Sequence, residues 1–134
     1  MANLNILSLN CHGYNGSTES YLRRVNNNTD VILLQETWLT DCTCSILDNI
    51  SNDFIVFHSS AMQDKISKNV MVGRPFGGTA VIVRKILAGR CSRISTDNPR
   101  VASVCMKSFG DAPDVVFSSV YMPCLLYTSP SPRD

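Results

Sequence analysis

Three polar residues follow apolar runs in this chain: Asn10 after ILSL, Glu36 after VILLQ and Tyr121 after VVFSSV. In α/β proteins ligands gather beyond the carboxyl ends of strands, so three such exits can converge on one site. A carboxylate beside an amide oxygen suits a hard divalent cation such as Mg2+, which takes oxygen ligands and keeps several waters for a substrate phosphate. A tyrosine hydroxyl can donate to a phosphate oxygen. Taken singly, each residue has a plainer reading. An Asn or Glu at a strand exit is most often a turn former or helix cap, and a lone Tyr is an aromatic half-buried at a sheet end.

The elements that must position these residues can be read from periodicity. Leu4 to Leu9 reads as a buried strand running into the turn-rich CHGYNGS. Ser17 and Thr18 are N-cap candidates for a short helix from Glu19 to Val25, closed by the polar run Asn26 to Asp30. Val31 to Gln35 is a second strand, Ser45 to Asn49 a short helix, and Phe54 to His58 a third strand. Residues 60 to 78, punctuated by Gly73, Pro75, Gly77 and Gly78, read as a long loop or irregular hairpin. Strands follow at Thr79 to Arg84, Val101 to Lys107 and Val115 to Tyr121, the last two separated by the turn Gly110-Asp111-Ala112-Pro113. One or two β-α units followed by hairpins favour a mixed-sheet α/β fold over a purely parallel one.

With 134 residues, 44% hydrophobic and 17% charged, the chain has the composition of one globular domain. Its apolar runs are far shorter than a membrane span, and MANLNILSLN lacks a basic leader with an apolar stretch, so an intracellular location is expected. The cysteines Cys11, Cys42, Cys44, Cys91, Cys105 and Cys124 contain no pair at zinc or redox spacing and are expected as thiols. The sequons at Asn15, Asn27 and Asn49 then carry no glycan. A net charge of +1 hides a segregation: Lys65, Lys68, Arg74, Arg84, Lys85, Arg90 and Arg93 lie in a stretch without one acidic residue. Such a run is ordinarily a solvated face; beside Glu36 it could meet phosphates, with Arg74, Arg84 and Lys85 as the contacts.

SLNCHG (Ser8 to Gly13), LLQETWL (Leu33 to Leu39), GGTAVIVRK (Gly77 to Lys85) and SVYMP (Ser119 to Pro123) resemble successive motifs of the endonuclease/exonuclease/phosphatase superfamily. The order and spacing are most similar to the N-terminal endonuclease domain of LINE-type (non-LTR) retrotransposon proteins. The resemblance implies an α/β fold, the N-terminal half of a four-layer α/β/β/α sandwich with mixed sheets. It implies that Asn10 helps hold the catalytic carboxylates and metal, that Glu36 binds Mg2+ (or Mn2+ in its place), and that Tyr121 hydrogen-bonds the scissile phosphate. His12 falls where many relatives carry Asn and is a further candidate DNA contact, though a loop His is its plainer reading. The implied partners are DNA, through its backbone, and the element's RNA, through domains further downstream, with no membrane; the implied place of action is the nucleus, after synthesis in the cytoplasm. The nick would release a 3′ hydroxyl that primes reverse transcription.

Two later motifs of the family, Asp-x-Asn and Ser-Asp-His, have no counterpart here, and neither His12 nor His58 lies in a motif that replaces them. Family domains run to roughly twice this length. The expectation is therefore a fragment lacking the groups that activate water, without nuclease turnover, and with one sheet face exposed. The final eleven residues, CLLYTSPSPRD, resemble the in-frame translation of a sequencing-library adapter, so natural sequence is expected to stop at Pro123, with Cys124 belonging to either side. Two other readings share the same residues: a phosphatase or phospholipase of this superfamily, and a non-catalytic α/β interaction domain in which the strand-exit polar residues are only caps.

Overall fold

A computed structural model describes residues 3–61, 76–108 and 110–122. The chain opens with strand β1 (Ile6–Asn10), helix α1 (Gly16–Val25), a 3-10 turn (Asn26–Asn28) and strand β2 (Val31–Gln35). A second 3-10 turn (Cys44–Asn49) leads to β3 (Phe54–Ser59), and β4 (Thr79–Arg84) runs into a one-turn helix α2 (Lys85–Ala88). Strands β5 (Cys91–Ile94), β6 (Val101–Met106) and β7 (Val115–Val120) follow.

The strands form two sheets. The first has the order β1-β2-β4-β3, with β1 parallel to β2 and the other pairs antiparallel; the second is the meander β5-β6-β7. The β1-α1-β2 crossover and the later hairpins make this a mixed α/β fold, as the element order predicts. In the central strands β2 and β4, Val31, Ile32, Leu34 and Ala80 to Val83 are fully buried, which is why both read as continuous apolar runs. One face of that sheet, through Ile32, Leu34, Ala80 and Ile82, packs on Leu22 of α1 and on Leu47, Ile50 and Phe54. The other face, through Val31, Val81 and Val83, packs on Ala102, Val104, Met106 and Phe117 of the second sheet. The described layers are thus helix, sheet and sheet.

Local chemistry explains several boundaries. Asn15, not Ser17 or Thr18, caps α1: its Oδ1 accepts from Ser17 N at 2.9 Å and Thr18 N at 3.1 Å, so the helix starts earlier than expected. Strand β1 is an edge strand whose alternate side chains face out, Ile6 among them, and it runs on through Asn10. Strand β5 and helix α2 are additions to the predicted elements. On the outward face of the second sheet Val116, Val120 and Ile94 are exposed. Among the described residues no helix is long and apolar enough to cross a membrane, and Cys11, Cys42, Cys44, Cys91 and Cys105 are free thiols. Arg74 and the tail 124–134 lie outside the described residues.

Candidate active site

The strand exits do meet. Parallel pairing sets Asn10 opposite Gln35, so the ends of β1 and β2 lie side by side and Glu36 follows immediately. Strand β7 reaches the same end across the inter-sheet core. Ser119 Oγ donates to the Leu34 carbonyl at 2.5 Å and accepts from Gln35 Nε2 at 3.0 Å. Gln35 Nε2 also reaches Ser8 Oγ at 3.4 Å, joining β1, β2 and β7 through one amide. Tyr121 follows Ser119 by two residues, the spacing that keeps side chains on one face, and its backbone N donates to Arg100 O at 3.2 Å. Asn10 is exposed, whereas Glu36 and Tyr121 are half-buried.

Backbone strain concentrates at this end. The non-glycine residues with positive φ among those described are His12 at 49°, Glu36 at 52° and Trp38 at 60°. Each such conformation costs roughly 1–3 kcal/mol and persists only where the surroundings over-determine it, which is commonest at functional sites. Here the surroundings are explicit. Gly13 N donates to Glu36 O at 2.8 Å, Tyr14 N to Thr37 O at 2.9 Å, Thr37 N to Gly78 O at 3.1 Å and Trp38 N to Gly77 O at 2.8 Å. The Trp38 ring lies on Gly13, whose φ is +92° and where a Cβ would approach Trp38 Cε3 to 2.4 Å; only glycine fits. His12 is exposed at the rim, its ring 5.2 Å from that of Trp38.

Asn10 Oδ1 accepts from His12 N at 3.1 Å, so it closes a local turn while its second lone pair stays available. The Glu36 carboxylate is close enough to add to the burial that pushes the Cys11 thiol up to about 12, which keeps Cys11 protonated and non-nucleophilic at neutral pH. For a divalent cation the donors fit in kind: two hard oxygens, from Glu36 and Asn10. They fall short in number, since no group of three or more His, Cys, Asp or Glu able to hold a metal occurs among the described residues.

The sequence does not single out the residue that braces this corner. His58, 7% exposed in edge strand β3, shares a hydrogen bond between Nε2 and Thr37 Oγ1 at 2.9 Å. Burial lowers its pKa to about 4, Asp41 opposing and Arg93 assisting, so the ring is neutral at neutral pH. It borders a cavity of about 510 Å3 that Asp41, Cys44, Asp48 and Arg93 also line. A lone His in an apolar strand has no motif; only the fold shows its partner.

Arg84 and Lys85 correct the expected phosphate surface. Strand β4 runs antiparallel to β2, so Thr79 pairs with Gln35 at the candidate site while Val83 pairs with Val31 at the far end. Arg84 therefore sits about 17 Å away along the strand, at about 3.4 Å per residue. Its guanidinium is occupied there: it bonds the carbonyls of Asn26 and Thr29, faces Asp30 at 3.6 Å and lies 4.8 Å over the Phe54 ring. Lys85 lies beyond it, its backbone N bonded to Asp53 O at 2.7 Å.

By sequence, no protein family and no curated protein matches the chain. By structure, it is similar to the endonuclease domain of TRAS1, a telomere-specific non-LTR retrotransposon, at 14% identity and a TM-score of 0.56. The match covers 90% of this chain and 46% of that one, so the chain spans about half the length of its structural neighbour. At that identity the likeness concerns architecture: the described residues adopt the fold of part of a retrotransposon endonuclease domain.

Proposed function

We propose that the chain is the N-terminal part of a metal-dependent DNA endonuclease domain of the non-LTR retrotransposon type. What supports this reading is that the ends of β1, β2 and β7, which lead into Asn10, Glu36 and Tyr121, are tied together through Gln35 and Ser119 at one strained end of a nuclease-like fold. In this reading Glu36 and Asn10 would hold Mg2+, or Mn2+ in its place, through their side-chain oxygens, and Tyr121 would donate its hydroxyl to a phosphodiester oxygen. The chemistry such an ion would supply when bound is stabilisation of negative charge developing on the phosphoryl oxygens.

Water activation is the missing part. His58 is committed to Thr37 inside the fold, and His12 stands exposed at the rim. Residues supplied by further sequence would complete the site, and the resulting nick would prime reverse transcription of the element's RNA. The protein would act on chromosomal DNA in the nucleus.

The experiment is to incubate the chain with supercoiled plasmid and Mg2+ while titrating Mn2+ onto it. No nicking is expected, together with weak Mn2+ binding that Glu36→Ala abolishes. Nicking that disappears in Glu36→Ala would overturn the inactivity; Mn2+ binding indifferent to Glu36→Ala would overturn the metal assignment. Genomic sequence following Pro123 should encode Asp-x-Asn, then Ser-Asp-His, then a reverse transcriptase.

A further inference from the structure

We infer that His58 is a positioning residue for Glu36, acting through the hydroxyl of Thr37; the inference rests on the metal reading above and adds the device that aims its carboxylate. Thr37 is completely buried between two residues in the left-handed region, Glu36 and Trp38. A backbone that reverses hand on both sides of one residue relaxes to ordinary extended or helical geometry unless that residue is held.

Thr37 is held at every polar atom. Its N donates to Gly78 O, its carbonyl accepts from Tyr14 N, and its Oγ1 accepts from Leu39 N at 3.2 Å while bonding His58 Nε2 at 2.9 Å. The space for that hydroxyl is built in, because a Cβ on Gly78, at φ +90°, would lie 2.3 Å from Oγ1. The backbone bonds span only the two flanking segments. The Oγ1 to His58 bond adds a third element, edge strand β3.

His58 is itself anchored. It pairs with Ala80 in the β3-β4 ladder, and its carbonyl accepts from Arg93 Nη2 at 2.8 Å, from the second sheet. The path Arg93, His58, Thr37, Glu36 thus ties the direction of the carboxylate to the packing of the two sheets. One proton joins the neutral imidazole and the hydroxyl at Nε2, and that bond is the one the ring makes among the described residues, Nδ1 being buried without a partner. An aliphatic side chain at either position leaves a buried polar partner unpaired.

Trp38, the only tryptophan of the chain, adjoins Thr37 and reports the corner directly. The test compares Trp38 emission and Mn2+ affinity in the intact chain and in Thr37→Val, Thr37→Ser, His58→Leu, His58→Gln and Glu36→Ala, with far-UV circular dichroism as the folding control. Thr37→Val and His58→Leu should shift emission and weaken Mn2+ binding by roughly tenfold to a hundredfold. Thr37→Ser, which keeps the hydroxyl, and His58→Gln, whose amide nitrogen reaches the Nε2 position, should restore both. Glu36→Ala should abolish Mn2+ binding with emission unmoved.

If Glu36→Ala fails but Thr37→Val and His58→Leu behave as the parent, the positioning role is overturned and the metal reading stands. If Glu36→Ala changes nothing, both fall. Where the aliphatic variants do not fold, His58→Asn replaces them: its amide stops short of Thr37, so it should lose both signals that His58→Gln keeps, and equal behaviour of the two overturns the role.

Discussion

The Gln35 side-chain amide donates to Ser119 Oγ at 3.0 Å, and that hydroxyl in turn donates to the Leu34 carbonyl at 2.5 Å. One serine, 1% exposed, therefore pins the end of β7 to the end of β2 at the point where Glu36 and Tyr121 emerge. Apolar packing brings the two sheets together without specifying how far one slides over the other. The serine sets that register.

Ser119→Ala should destabilise the fold by about 1–3 kcal/mol, because it leaves the Leu34 carbonyl without this donor and Gln35 without its nearer acceptor in a buried place. Urea unfolding measures it. Ser119→Val should cost more, since the added methyl groups must enter a filled contact.

Arg84→Ala should cost about 2–4 kcal/mol, because two carbonyls and Asp30 lose one donor and Phe54 loses its cation. Arg84→Lys keeps the charge but not the fork, and should recover less than half of the loss. Neither substitution should alter Mn2+ affinity at Glu36. A role for Arg84 in phosphate contact predicts the reverse pattern, full stability with impaired DNA binding.

Stability should fall on acidification because of His58. Its folded pKa, about 4, is below its ordinary 6.5, so between these values the unfolded chain takes up a proton that the folded chain refuses. The contribution is therefore complete above about pH 6.5 and is lost as the pH falls toward 4, to a total of about 3 kcal/mol at about 1.4 kcal/mol per pH unit. Unfolding free energies at a series of pH values should show this slope in the parent chain and a shallower one in His58→Gln.

Thiol reactivity should separate the β1 exit, at Cys11, from the turn that holds Cys42. Cys42 is exposed and should react with a disulfide reagent at pH 8 within the first phase. Cys11, raised to about 12 by burial and by Glu36, should react only on unfolding.

What could be read in advance follows from what each residue depends on. Strands β2 and β4 announce themselves because their Val, Ile and Leu residues are fixed by burial, which periodicity records, whereas β7 is legible from its β-branched composition, since its three Val residues are exposed and only Phe117 and Ser119 face the core. The strand exits at Asn10, Glu36 and Tyr121 are legible for the same reason, since they inherit their positions from those runs. Strand β5 is not: Cys91-Ser92-Arg93-Ile94 is short and three of its residues are exposed, so pairing to β6, not burial, makes it a strand. Arg84 misleads because the sign of its charge is visible in sequence while the direction of β4 is not. His58 is silent because its role lies in a hydrogen bond to a residue 21 positions away.

The bond from Ser119 to Leu34 joins residues 85 positions apart, whereas β1 and β2 are already bridged across 25, where Asn5 N donates to Asp30. Closing the longer loop costs roughly 1 kcal/mol more in chain entropy. Contacts of that separation form late, after local ones have shortened the path. The β1-α1-β2 unit, carrying Asn10 and Glu36, can thus close early during synthesis, while Tyr121 arrives only when β7 returns. Pulsed hydrogen exchange should find the amides of α1 protected before those of β7. The two sides of the candidate site then differ in age as well as in origin, and under the proposed function a newly made chain would pass through an interval in which it could hold an ion but not a phosphate.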